Sequence, residues 1–91
     1  MVNGFTATIH GRVQGVGFRF FVKNHADNLN LTGWVRNLPE GSVETQAFGP
    51  IPDLERLLHY INTGSVGSRV EQVDIQWFRT EKALKTFEIR G

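Results

Sequence analysis

A short glycine loop between a strand pattern and a helix pattern constrains the fold of this chain most. Apolar and polar residues alternate over residues 5–10, which predicts a half-buried strand. After the loop, apolar side chains recur at three- and four-residue steps over residues 18–29, which predicts a helix of about three turns beginning near Arg19. Asn30 is predicted to end this helix, since asparagine tolerates the left-handed conformation common there. The chain therefore passes from strand to helix through a tight, glycine-containing turn.

The glycines at positions 15 and 17 allow this turn to bind an anion. Both can adopt positive φ, so the backbone can direct several N–H groups toward one point. The start of the helix adds unpaired amides and the positive end of its dipole. Arg19 adds a guanidinium that can hold a phosphate through two parallel hydrogen bonds. The loop thus predicts an oxyanion site closed by Arg19, while the spacing alone equally allows a simple turn with a solvated arginine.

Two well-known nucleotide-binding loops do not match this stretch. Phe20 stands where the dinucleotide fingerprint would place its third glycine. No Gly-Lys-Ser or Gly-Lys-Thr follows, so the Walker loop is absent as well. Neither class of nucleotide site is predicted.

The rest of the chain alternates strands and helices in a definite order. Strands are predicted over residues 33–37 and 42–47, with a reversing turn at 38–41 between them. A second helix should begin near Asp53 and end at Gly64. Its buried stripe is Leu54, Leu57, Leu58 and Ile61. Further strands are predicted over residues 70–78, with Val73, Ile75 and Trp77 on one face, and over residues 87–89.

This order predicts an α+β fold, the ferredoxin-like βαββαβ sandwich, with two helices on one face of a four- to five-stranded, mainly antiparallel sheet. A strand joined to the next through a crossover helix runs parallel to it. The first two strands should therefore end at the same edge of the sheet, which brings Arg19 close to Asn37. An asparagine at a strand end is commonly a turn former. Beside a bound phosphate, its amide can also orient a water molecule.

Composition narrows the remaining possibilities. Residues 1–91 are expected to form one domain, and a net charge of +1 gives no broad field that would attract nucleic acid or membrane. His10, His25 and His59 lack metal-ligand spacing, His25 being expected in the core, and the carboxylates form no acidic cluster, so no metal and no cofactor are predicted. Most of the ten aromatic residues are expected to pack in the core. Without cysteine, export signal or long apolar run, the chain is expected to be cytoplasmic. It is also expected to be a monomer.

Three stretches together resemble the acylphosphatases, small enzymes that hydrolyse the carboxyl-phosphate bond of acyl phosphates. They are Gly11-Arg12-Val13-Gln14-Gly15-Val16-Gly17-Phe18-Arg19, Gly33-Trp34-Val35-Arg36-Asn37 and Gly41-Ser42-Val43-Glu44.

The resemblance implies a small-molecule acyl phosphate substrate and specific roles for residues of the first two stretches. It implies that Arg19 binds the phosphate with its side chain and that Asn37 orients the attacking water. It also implies that backbone amides of the loop bind the phosphate, through Gln14, Gly15, Val16, Gly17, Phe18 and Arg19.

Two other functions share parts of this pattern. RNA-recognition domains have the same element order, and residues 15–22 echo their aromatic signature. Their aromatic side chains project from central strands, whereas Phe20 and Phe21 fall on a helical pattern here. A non-catalytic anion sensor could use the same loop. Hydrolysis of acyl phosphates is the favoured hypothesis, and turnover distinguishes it from both alternatives.

Overall fold

The computed structural model describes residues 1–91 as five strands and two helices. The elements are β1 (Val2–Arg12), α1 (Phe18–Asn28), β2 (Thr32–Asn37), β3 (Val43–Phe48), α2 (Ile51–Thr63), β4 (Arg69–Thr80) and β5 (Phe87–Arg90). Every predicted element is present. The largest difference in bounds is in β1, which is longer at both ends because β4 pairs with residues 2–4 and, beyond a bulge at His10/Gly11, with Gly11 and Arg12.

The sheet has the strand order β4-β1-β3-β2-β5. Strand β3 is antiparallel to both β1 and β2, so β1 and β2 run parallel to each other although they are not adjacent. β4 pairs antiparallel with β1, and β5 pairs parallel with β2. This arrangement confirms the predicted ferredoxin-like fold, and it places the ends of β1 and β2 at the same edge of the sheet.

The core lies between the helices and one face of the sheet. Phe5, Ala7 and Ile9 of β1 are fully buried, as their alternation predicts. The helices contribute Phe18, Val22, Ala26, Leu54, Leu57, Leu58 and Ile61. Burying each of the larger apolar side chains contributes about 1.5–3 kcal/mol, so this layer fixes α1 against the sheet and with it the loop that precedes α1.

Both helices end as the sequence predicts. Asn30 follows α1 with φ 57°, in the left-handed region. Gly64 follows α2 with φ 81° and donates its N–H to the carbonyl of Tyr60. Neither helix combines the length and apolar character that crossing a bilayer requires.

The prediction that most of the ten aromatic residues pack in the core is wrong, since only four of them are buried and three are exposed. Phe20, Tyr60 and Trp77 are 64%, 38% and 48% exposed. Trp77 lies on the predicted face of β4, but β4 is an edge strand and the two-helix layer covers it incompletely. His25 is only half-buried, because its ring stacks on Tyr60 at 3.7 Å near the surface of the helix layer.

Candidate active site

The loop between β1 and α1 presents a row of free backbone donors. Gly15 and Gly17 have φ values of 74° and 73°, so the positive φ predicted for both is present. The N–H groups from Gly15 through Phe20 donate to no protein acceptor, and the first donor of the helix is Phe21, bonded to the carbonyl of Gly17 at 3.0 Å. Unpaired donors gathered at a helix N-terminus attract anions, so the loop has the polarity of a phosphate site.

The space above the two loop glycines is open. A Cβ atom built at Gly15 or Gly17 would have no atom within 4 Å. Steric crowding therefore does not explain glycine at these positions. The left-handed backbone conformation explains glycine here, because that conformation costs a residue with a Cβ atom roughly 1–2 kcal/mol. The same open space leaves room for a ligand against the backbone.

Arg19 and Asn37 lie on one small pocket with this loop. The pocket has a volume of about 140 Å³ and is lined by Val13, Gly15, Gly17, Phe18, Arg19, Phe20 and Asn37. Of the residues singled out from the sequence, Gln14 and Val16 are not among those that line it. Val13 and Phe20 also line it, although the sequence assigned neither of them a binding role.

The Arg19 guanidinium is available to bind an anion. Its one hydrogen bond is a long contact of 3.5 Å from Nη1 to the carbonyl of Arg90, at the end of β5. It makes no ion pair, and no carboxylate lines the pocket. The contact with Arg90 depends on the parallel pairing of β5 with β2, so nothing near Arg19 in the sequence could have revealed it.

Asn37 carries an unsatisfied polar atom. It is the last residue of β2, and its Oδ1 is buried without a hydrogen-bond partner. A buried acceptor left unpaired costs about 1–3 kcal/mol, so its presence here needs an explanation. A catalytic role or a bound water is the usual explanation for such an atom in a native structure.

The side chain of Gln14 holds the loop against the β2–β3 hairpin. Its Nε2 donates to the carbonyls of Leu38 and Ser42 at 2.7 and 2.9 Å. Leu38 directly follows Asn37, so this one amide ties the backbone donors to the strand that carries Asn37. The resemblance implied only a backbone role for Gln14. The sequence does contain a signal for the side-chain role, because an amide side chain lies where the predicted topology brings the loop and the hairpin together.

Replacing Gln14 with methionine is expected to loosen this connection without opening a cavity. The variant keeps the side-chain volume but loses both hydrogen bonds, each worth about 0.5–1.5 kcal/mol. We expect the free energy of unfolding to fall by about 1–2 kcal/mol in urea titrations. Catalytic efficiency should also fall about tenfold at temperatures where the variant is fully folded, because small misplacements of positioned groups slow reactions strongly.

The matched control for this variant is Gln76→Met. Gln76 is an exposed residue of β4, and its side chain makes no hydrogen bond. The Gln76→Met substitution should change neither stability nor activity. If Gln14→Met lost stability but kept its full activity, Gln14 would support the fold only.

The other polar clusters lie away from this pocket. The hydrogen bond from Ser42 lowers the pKa of the Glu40 carboxyl, and hydrogen bonds from Gln72 and then His10 lower the pKa of Asp74. Both carboxylates are exposed and remain ionised at neutral pH. No group of three or more His, Cys, Asp or Glu side chains is placed to hold a metal ion.

A wider depression of about 460 Å³ lies at the other side of the molecule. It is lined by Asn3, Ile51, Glu55, Trp77, Phe78 and Arg79. It has no row of free backbone donors, and its charged side chains include one of each sign. The small pocket at the loop is therefore the candidate active site despite its smaller volume.

The family model and the sequence relatives of this chain indicate the same family. The family model described as Acylphosphatase matches residues 5–89. An acylphosphatase of Salinibacter ruber is 46% identical over 85 residues, which cover 93% of this chain and 90% of that protein. An acylphosphatase of Thermus thermophilus is 46% identical over 83 residues, covering 91% and 93%.

A solved structure agrees with these sequence relatives. The crystal structure of acylphosphatase from Bacillus subtilis superposes with a TM-score of 0.94 at 36% identity, covering 100% of both chains. The likeness therefore extends over the loop, the hairpin and the terminal strand that together surround the pocket.

Proposed function

This chain belongs to the acylphosphatase family and is an enzyme that hydrolyses acyl phosphates, and we propose that the 14–19 loop, Arg19 and Asn37 carry out this reaction. The observation that carries the assignment is their arrangement. Gly15, Gly17 and Phe18, whose N–H groups are free, line one pocket together with Arg19 and Asn37, and no carboxylate lines it.

The phosphoryl group binds to the loop and to Arg19. The backbone N–H groups of Gly15 through Phe20 donate to its oxygens, and the guanidinium adds charge-assisted hydrogen bonds. The transition state of phosphoryl transfer is largely loose, with charge spread over the peripheral oxygens. Donors fixed in place before the reaction stabilise this charge without reorganising, which is how such a site accelerates the step.

Asn37 orients the attacking water. The water oxygen forms a bond to phosphorus while the bond from phosphorus to the acyl oxygen breaks, and its electron pair leaves with the carboxylate. Both protons of the water remain with the inorganic phosphate, which is released as the dihydrogen ion and exchanges protons with the solvent. An amide can fix the direction of a water molecule without taking its proton, and no residue that lines the pocket could act as a base at neutral pH.

The chemistry of the leaving group explains why so few side chains suffice. A carboxylate has a conjugate acid with a pKa of roughly 4, so it departs without a proton donor. The reaction therefore needs no general acid and no covalent nucleophile. We propose that it also needs no metal ion, and that one chain is the complete catalytic unit, because all the residues in the proposed roles belong to the same chain.

Hydrolysis of benzoyl phosphate in excess EDTA tests this proposal. We expect the rate to be the same with and without the chelator, since positioned amides and a guanidinium supply the charge stabilisation. Loss of activity in EDTA that a particular divalent ion restores would contradict the metal-free mechanism. Binding of inorganic phosphate without any turnover would instead indicate an anion sensor.

A further inference from the structure

We propose that Phe20 binds the acyl group of the substrate and gives the enzyme a preference for apolar, planar acyl phosphates such as aromatic ones. This inference rests on the proposed function of the same pocket. It concerns the acyl group, which is the part of the substrate that neither the loop nor Arg19 binds.

Phe20 is not needed by the hydrophobic core. The buried residues of α1 are Phe18, Val22 and Ala26, and Phe20 lies on a different side of the helix. Its side chain is 64% exposed. It forms none of the aromatic pairs of the structure, and it is not among the apolar residues packed on the core. A large aromatic residue in such a position contributes little to folding.

Phe20 nevertheless lies at the site of the reaction. It lines the same pocket as Arg19 and Asn37, and it directly follows Arg19 in the first turn of α1. When the loop donors and the guanidinium hold the phosphoryl group, the acyl group joined to it through one bridging oxygen must extend from the same pocket. An exposed ring at this position offers the acyl group an apolar surface to cover.

The charges around the pocket indicate which acyl groups fit. Arg19 is the single charged residue that lines the pocket, and its guanidinium binds the phosphoryl group in the proposed mechanism. A charged acyl group would find no second partner among the lining residues. Val13 and Phe18 are buried in the core, so the exposed ring of Phe20 is the apolar surface that a planar apolar acyl group can cover.

Comparing two substrates in the Phe20→Ala variant tests this inference. Aromatic pairs contribute on the order of 0.5–1.5 kcal/mol, so we expect the ratio of kcat/KM for benzoyl phosphate to that for acetyl phosphate to fall about 2- to 13-fold. Phe20→Tyr keeps an aromatic ring and should retain most of the ratio. Val66→Ala, at a residue that is 99% exposed and outside the pocket, should keep the wild-type ratio.

Inhibition supplies a second measurement that does not depend on turnover. The inhibition constant of phenylphosphonate should rise in Phe20→Ala more than that of inorganic phosphate, because only the phosphonate carries a ring. An unchanged ratio, or equal effects on both substrates and both inhibitors, would overturn the assignment. This outcome is distinct from failure of the proposed function, in which the wild-type protein would hydrolyse neither acyl phosphate.

Discussion

Replacing Arg19 with glutamine is expected to lower kcat/KM for benzoyl phosphate by at least ~100-fold, the scale for removing one positioned donor from a polar site. The guanidinium is the single charged group that lines the pocket, and it faces a substrate that carries a negative phosphoryl group. Glutamine can still donate a hydrogen bond, but it lacks both the charge and the planar pair of donors.

The effect should appear in binding as well as in turnover. Arg19 contacts the phosphoryl group in the ground state, so the inhibition constant of inorganic phosphate should rise in Arg19→Gln. Arg19→Lys should fall between the wild type and glutamine, because lysine restores the charge without the bidentate geometry. The fold should be unaffected, since the side chain makes one long hydrogen bond and no ion pair.

Arg56→Gln is the matched control for charge. Arg56 is an exposed residue of α2, makes no ion pair and lies outside the pocket at the loop. It should retain full activity. Near-normal activity in a folded Arg19→Gln variant, verified by circular dichroism, would remove Arg19 from the mechanism.

Replacing Asn37 with alanine is expected to lower kcat by at least ~100-fold with little change in phosphate binding. In the proposed mechanism the amide fixes the attacking water and does not hold the phosphoryl group. The inhibition constant of inorganic phosphate should therefore stay close to the wild-type value. This separates Asn37 from Arg19, whose loss weakens both binding and turnover.

In the Asn37→Ala variant, the free energy of unfolding should not fall together with the activity. The Oδ1 atom of Asn37 is buried without a partner, so alanine removes an uncompensated polar group. The free energy of unfolding should be unchanged or slightly higher, because deleting an unpaired acceptor avoids a cost of about 1–3 kcal/mol. A purely structural asparagine would lose stability together with activity.

Asn24→Ala serves as the control for this variant. Asn24 is exposed on α1, and its side chain makes no hydrogen bond. We expect it to be indistinguishable from the wild type in turnover. An Asn37→Ala protein with normal kcat would show that the water is oriented by another group.

Much of the fold followed from local patterns in the sequence. The alternation in β1 and the helical spacing after the glycine loop are set within a few residues, so they predict element type and order well. The proximity of Arg19 and Asn37 followed from a general rule, since strands joined by a crossover helix run parallel and end at one edge. The bounds of β1 were less predictable, because Gly11 and Arg12 are strand residues only through their pairing with β4.

The exposure of aromatic residues shows where local reasoning is weakest. Helical spacing places Phe20 away from the buried stripe, whereas the general expectation for aromatic residues was burial in the core. Trp77 lies on the face that the pattern indicates, but how much of that face is covered depends on the position of β4 at the edge of the sheet. Burial is decided by neighbouring elements, which a strand or helix pattern does not specify.

The sequence by itself determined the order of elements, the left-handed glycines of the loop and the arginine that follows them, because these depend on short-range backbone preferences. The tertiary structure alone decided that Gln14 joins the loop to the hairpin, that β5 brings the Arg90 carbonyl to Arg19, and that Asn37 Oδ1 is buried without a partner. Each of these contacts joins residues from different elements. They arise only when the sheet has its final register.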